Sequence, residues 1–124
     1  MARVLVVEDN VANMTLATFL LESAGHTVLS ATDAETGLTL ARAQKPDLVL
    51  MDIQLPGMDG LQATALLKAG VATARIPVIA LTALAMKGDE ERIRAAGCDG
   101  YTAKPLSYRD FLTTISAQLA KSPL

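Results

Sequence analysis

A chain of 124 residues, 51% of them hydrophobic, is long enough to fold as one domain around a covered core without a disulfide or a structural metal. Its 11 Lys and Arg against 13 Asp and Glu leave a net charge of −2, which argues against a nucleic-acid surface of clustered basic residues. Cys98 is the only cysteine and fits a reducing compartment with a buried thiol, and Val4-Leu5-Val6-Val7 is too short for a signal-peptide core or a membrane span, so the expected location is the cytoplasm with no membrane partner.

Arg3 to Val7 reads as a short buried strand, ending in Glu8-Asp9-Asn10. A helix follows from about Val11 to Ala24, stopped by Gly25. Asn13, Ala17, Leu20, Leu21 and Ala24 share one face at helical spacing and should meet a sheet. Val11, Thr15 and Phe19 lie opposite, as a candidate docking patch. Thr27 to Ala31 is a second strand, and the capping-box spacing of Thr32 and Glu35 opens a helix to about Ala43. Leu48-Val49-Leu50-Met51-Asp52 is an unbroken apolar run into a carboxylate, the pattern of a strand buried on both faces. Pro56, Gly57 and Gly60 turn it into a loop.

A shorter helix is expected from Gly60 to Lys68, then a loose connection over 69–75. Pro77 to Leu81 is a fourth strand that ends at Thr82, with the proline only at its start. Lys87 to Ala96 is a helix with acids first and Arg92 and Arg94 later, an order that suits the helix dipole, but its apolar face is thin, with Ile93 the main anchor. Gly100 to Ala103 is a fifth strand, closed by Lys104-Pro105. Ser107 and Asp110 begin a last helix with an apolar stripe of Tyr108, Phe111, Leu112, Ile115 and Leu119. Strands alternating with helices imply an α/β fold, a parallel five-stranded sheet between two helical layers. With right-handed crossovers the expected strand order is the flavodoxin-like 2-1-3-4-5, which makes Asp9 and Asp52 neighbours at the reversal point.

The strand ends then bring Glu8, Asp9, Asp52, Thr82 and Lys104 to one sheet edge. Each could be bland alone: a solvated turn, a strand-end hydroxyl, a surface charge. Together they are short of positive charge, since two unit charges about 4 Å apart interact by roughly 4 kcal/mol at an effective dielectric near 20. An all-oxygen site with no His or Cys in it favours Mg²⁺ over Zn²⁺. Asp9 and Asp52 are the expected direct ligands and Glu8 acts through water. With the metal present Asp52 is a plausible nucleophile toward phosphorus, Lys104 neutralises the phosphoryl oxygens, and Thr82 donates a hydrogen bond to one of them.

Val-Val-Glu-Asp-Asn at 6–10, Leu-Met-Asp-Ile-Gln-Leu-Pro-Gly-Met-Asp-Gly at 50–60, Ala-Leu-Thr-Ala at 80–83 and Lys-Pro at 104–105 resemble the receiver domain of bacterial response regulators, the CheY-like superfamily. The resemblance covers essentially the whole chain, 1–124, and implies a single receiver domain with no output domain. The stretch from Ala85 to Arg94 further resembles the single-domain DivK type of cell-cycle regulator. The resemblance implies that Asp52 accepts phosphate from a phosphohistidine on a sensor histidine kinase or a histidine phosphotransfer protein. It also implies that the backbone carbonyl of Gln54 completes the metal site, that the Lys104–Pro105 bond is cis, and that Tyr101 is the switch aromatic. The acidic pair departs from the family's Asp-Asp, with Glu8 in the first position. His26 reads as an exposed loop residue.

The leading expectation is a phosphorylation-controlled binding switch, monomeric or weakly dimeric, that takes up and loses phosphate by self-catalysis and presents its fourth helix, fifth strand and last helix to a downstream protein target. A phosphorelay shuttle passing phosphate to a phosphotransfer protein is the alternative within that class. An aspartate-nucleophile phosphatase would need a second Asp two residues after the nucleophile, where this chain has Gln54. A flavodoxin-type cofactor binder is disfavoured because Glu8 and Asp9 would repel phosphate in the absence of metal.

Overall fold

The computed structural model describes residues 2–83 and 87–121, the Lys87 side chain excepted. Residues 84–86, which include Ala85 and Met86 of the stretch behind the DivK resemblance, lie outside the described residues. In chain order the elements are β1 (Arg3–Val7), α1 (Val11–Ser23), β2 (Thr27–Ala31), α2 (Ala34–Gln44), β3 (Leu48–Asp52), α3 (Gly60–Ala69), β4 (Val78–Thr82), α4 (Lys87–Ala95), β5 (Gly100–Ala103) and α5 (Tyr108–Lys121). The strands form one parallel sheet of order β2-β1-β3-β4-β5, as the alternating pattern predicts.

Successive residues of a strand point to opposite faces, and here each face buries its own core. Leu5, Val7, Val49, Met51, Val78 and Ala80 pack against α2, α3 and α4 through Leu38, Ala63, Leu67 and Ile93. Val4, Val6, Leu48, Leu50, Ile79 and Leu81 pack against α1 and α5 through Ala17, Leu20, Leu21, Phe111 and Ile115. The three central strands are buried almost throughout, whereas the outer strands β2 and β5 are covered only in part. This is the difference between their apolar runs and the mixed Thr-Val-Leu-Ser-Ala and Gly-Tyr-Thr-Ala sequences.

Local chemistry shifts several boundaries. The cap of α2 is Asp33, not Thr32: its carboxylate accepts from the Thr36 N–H at 2.7 Å and from the Thr36 hydroxyl at 3.0 Å. A carboxylate reaches the free N–H groups of a first turn with two oxygens, and here it starts the helix one residue later than the capping-box spacing implies. Ala24 is the C-cap of α1 and is exposed, and Asn13 is only half-buried, so the sheet-facing stripe narrows to Ala17, Leu20 and Leu21. Val11, Thr15 and Phe19 are exposed on the other side, as their spacing predicts. Tyr108 lies at the N-terminus of α5 and is 62% exposed, outside the stripe that Phe111 and Ile115 bury. His26 is half-buried rather than exposed, and its Nδ1 accepts from the Ala2 N–H at 3.1 Å.

The segment after α3 is not loose. Gly70 O accepts from the N–H groups of Thr73 and Ala74, and the Thr73 hydroxyl donates to Leu67 O at 2.6 Å. Lys68 Nζ donates to Ile76 O at 2.8 Å and to Asp99 Oδ2 at 2.9 Å, and the same Asp99 oxygen accepts from Val78 N at 2.8 Å. One lysine thus clasps the α3–β4 and α4–β5 connections at the amino-terminal edge of the sheet.

Phe111 has no exposed surface, so Phe111→Ala should cost about 3–5 kcal/mol of unfolding free energy in urea titrations. Phe19 is 64% exposed, and Phe19→Ala should stay within about 0.5 kcal/mol of the unsubstituted protein.

Candidate functional site

The chain leaves β1 for a helix on one face of the sheet and the neighbouring β3 for a helix on the other, so a crevice opens between the carboxyl ends of β1 and β3. Asp52 is the last residue of β3, and Glu8 and Asp9 follow β1 directly. Glu8 is held beside the sheet by its N–H, which donates to Ala31 O at 3.0 Å. Glu8, Asp9 and Asp52 each offer a carboxylate oxygen within 4.8 Å of the others. Glu8 is fully buried, Asp52 is 2% exposed and Asp9 faces solvent.

Lys104 reaches this cluster from beyond β5. Its N–H donates to Thr82 O at 2.8 Å, which ties the end of β5 to the end of β4, and the Lys104–Pro105 bond is cis, as the resemblance implies. Lys104 Nζ donates to Asp52 Oδ2 at 2.9 Å and lies 2.9 Å from Glu8 Oε1. The contact with Glu8 is an ion pair without directed hydrogen-bond geometry, and neither Glu8 oxygen has a hydrogen-bond donor among the described residues. Asp52 Oδ1 accepts from the backbone N–H of Gln54 at 2.9 Å. Thr82 ends β4 one residue beyond the partner of Asp52, buried, and Tyr101 sits on the neighbouring β5, 37% exposed.

These surroundings drive the acids apart. Burial, then the contact with Asp52 and its charge, push the Glu8 carboxyl up to about 7, against the opposing pull of Lys104. Burial also acts against ionised Asp52, but the contact with Glu8, the Gln54 N–H and Lys104 outweigh it and hold Asp52 below its ordinary value. Burial works against the Lys104 cation, and the two carboxylates more than reverse this, so its pKa rises. Of the two buried acids Glu8 is therefore the one pushed toward its protonated form. Two buried oxygens without donors, in an all-oxygen cluster with excess negative charge, fit a hard divalent cation that keeps part of its water shell.

The structure thus brings together Glu8, Asp9, Asp52 and Lys104, with Thr82 on the next strand, as the strand-end pattern predicts. Sequence reasoning missed that Glu8 is fully buried and touches Lys104. The available signal is the Glu itself: one methylene longer than Asp, it can reach across the crevice.

The response regulator receiver domain model matches residues 4–116, nearly the whole chain, and the chain belongs to that family. Its relatives make it a DivK-like receiver domain of two-component signalling. It is 49% identical over 116 residues to the polar-differentiation response regulator DivK of Brucella anthropi, covering 94% of each chain, and equally so to that of Brucella ovis. The fold matches the receiver domain of a sensor histidine kinase from Pseudomonas aeruginosa, solved with a magnesium ion coordinated in its active-site cleft. There the TM-score is 0.90 and the identity 35%, over 97% of this chain and 98% of that one. The chemotaxis protein CheY4 of Vibrio cholerae matches with a TM-score of 0.89 and 25% identity, over 94% and 98%. Among the described residues no helix is long and apolar enough to cross a membrane.

A raised folded-state pKa means that the folded protein binds a proton the unfolded chain has released. The Glu8 contribution to stability is therefore full below its ordinary value of 4.5 and is lost as pH rises through about 7. Asp52, shifted downward, acts in the opposite sense: its contribution is full above its ordinary value of 3.8 and is lost as pH falls below it. In metal-free buffer Glu8→Gln should remove the Glu8 part of the stability loss between pH 4.5 and 7. Urea midpoints across that range, compared with those of the unsubstituted protein, measure the difference.

Proposed function

We propose that this protein is a phosphorylation-controlled binding switch in a phosphorelay, with Asp52 accepting a phosphoryl group from a phosphohistidine on a sensor histidine kinase or histidine phosphotransfer protein. The observation that carries this reading is the buried Asp52 carboxylate at the reversal point of the sheet, 2.9 Å from the Lys104 ammonium and grouped with Glu8 and Asp9. An Asp52 oxygen attacks phosphorus, the P–N bond breaks, and its electron pair stays on the imidazole, leaving an acyl phosphate on Asp52. Lys104, which already touches two carboxylates, then turns its charge to the phosphoryl oxygens. Asp9, Asp52 and the Gln54 backbone carbonyl would hold Mg²⁺, with Glu8 ionised and acting through water, and the bound ion would offset the charge of the phosphoryl group.

Phosphate uptake and loss on this reading are self-catalysed, without turnover of an outside substrate. Gln54, two residues after the nucleophile, offers no general acid for ester hydrolysis. The similarity to DivK supports a role in cell-cycle or developmental control, in the cytoplasm. Val11 and Phe19, 80% and 64% exposed on α1 beside the acidic edge, form the docking patch for the protein donor.

Incubation with acetyl phosphate and Mg²⁺ should add one acid-stable, base-labile phosphate to the protein and none to Asp52→Asn. Equal labelling of the two would remove the assignment. Mg²⁺ at a hundred times its dissociation constant should raise stability by about 2.7 kcal/mol. Phe19→Lys should slow transfer from a protein donor several-fold while acetyl phosphate labels it normally.

The output follows from the neighbours of the site. A phosphoryl group on Asp52 would draw the Thr82 hydroxyl inward and open space for Tyr101, one strand over, to turn toward the core. The connecting α4 is anchored mainly by Ile93 among its described residues, and the ion pairs Asp89–Arg92 and Glu90–Arg94 hold exposed arginines that add little. It can shift at modest cost and carry the change to the surface of α4, β5 and α5, where a downstream target binds. Thr82→Ala should accept phosphate yet lose most of the amide shifts that beryllofluoride induces over Lys87–Ala103. Full shifts in that variant would exclude this route.

A further inference from the structure

We infer that Gly60 is a positioning residue for the Asp52 nucleophile: the first turn of α3 seats directly on the backbone that carries Asp52, and only a residue without a side chain leaves that backbone in place. The inference rests on the phosphoacceptor reading of Asp52. A Cβ built on Gly60 would overlap the Asp52 carbonyl oxygen and come within 2.8 Å of both the Asp52 carbonyl carbon and Ile53 Cα. All three obstacles are backbone atoms of the strand end, so no change of rotamer relieves them. Other glycines differ in kind. A Cβ at Gly37 would press on a Val7 methyl, the movable end of a side chain, and one at Gly57 or Gly88 would meet nothing within 4 Å.

The seat is braced from both sides. Across the sheet, Ile53 N donates to Leu81 O at 3.2 Å, so the residue after Asp52 cannot drift away from α3 without losing that bond. On the helix side, Asp59 and Gln62 form a reciprocal cap, with the Asp59 carboxylate accepting from Gln62 N at 2.9 Å and Gln62 Oε1 accepting from Asp59 N at 3.3 Å. The buried Thr64 hydroxyl donates to Gly60 O at 2.8 Å and completes the first turn. The Asp52 carbonyl thus lies between a capped helix and a paired strand. Its side chain is oriented from that fixed point by the Gln54 N–H and Lys104. Displacing a reacting group by about 1 Å can cost on the order of a hundredfold in rate.

The experiment measures phosphate incorporation from acetyl phosphate at saturating Mg²⁺, per folded molecule by circular dichroism, together with backbone shifts at residues 52–54. Gly60→Ala should label at least tenfold more slowly and displace those shifts. A second pair separates positioning from stability. Asp59→Ala loosens the seat without adding an atom, while Asp33→Ala removes an equivalent cap from α2, two strands away. Both should lower the melting temperature, but only Asp59→Ala should slow labelling, by threefold or more. Labelling of folded Gly60→Ala at the unsubstituted rate overturns the inference. If that variant does not fold, equal labelling of the two aspartate variants overturns it. Failure of the unsubstituted protein to label would instead sink the phosphoacceptor reading. The shifts then decide the seat alone, and unmoved signals at residues 52–54 reject it.

Discussion

The site depends on one lysine lying between two buried carboxylates. Lys104 Nζ is 2.9 Å from both Glu8 and Asp52, on an edge where Asp9 adds a third negative charge. Moving such charges out of water is costly, and one ammonium cannot compensate three acids. The surroundings push Glu8 toward its protonated form and hold the Asp52 carboxyl below its ordinary value. The same imbalance suits the edge to a cation.

The rest of the fold holds these groups at one level. The parallel register carries every strand to the same edge, so residues distant in sequence end side by side: Val7 pairs with Met51, Asp52 with Leu81, and Thr82 with Ala103. Two apolar cores pack against the three central strands from opposite faces, so Asp52 ends a strand buried along its whole length. Packed strand ends position charges better than loops do. At the opposite edge Lys68 and Asp99 join two connections, while among its described residues α4 itself buries mainly Ile93. Deep burial around Asp52 and thin burial at α4 set the two ends of the molecule apart, since an element with little buried surface has little to lose on moving.

The apolar runs of β1, β3 and β4, the helical spacing between them and the polar residue at each strand end were enough to determine the α/β class, the strand order and the membership of the site. These are consequences of periodicity and of the handedness of crossovers, which depend on residue type and not on fine geometry. The tertiary structure decided what depends on distances between segments. It buried Glu8 against Lys104, where sequence placed it only at the same edge as a ligand acting through water, because the reach of a side chain across a crevice is not encoded in its own neighbours. It moved the α2 cap to Asp33, took Tyr108 out of the core and drew His26 partly in, since each was a competition between partners that only packing brings together. It also changed the meaning of Gly60, which in sequence marks the end of a loop and in space is the point where a helix rests on the backbone of the nucleophile. Close approach between two backbones leaves no periodic trace, because the residue that permits it does so by lacking a side chain.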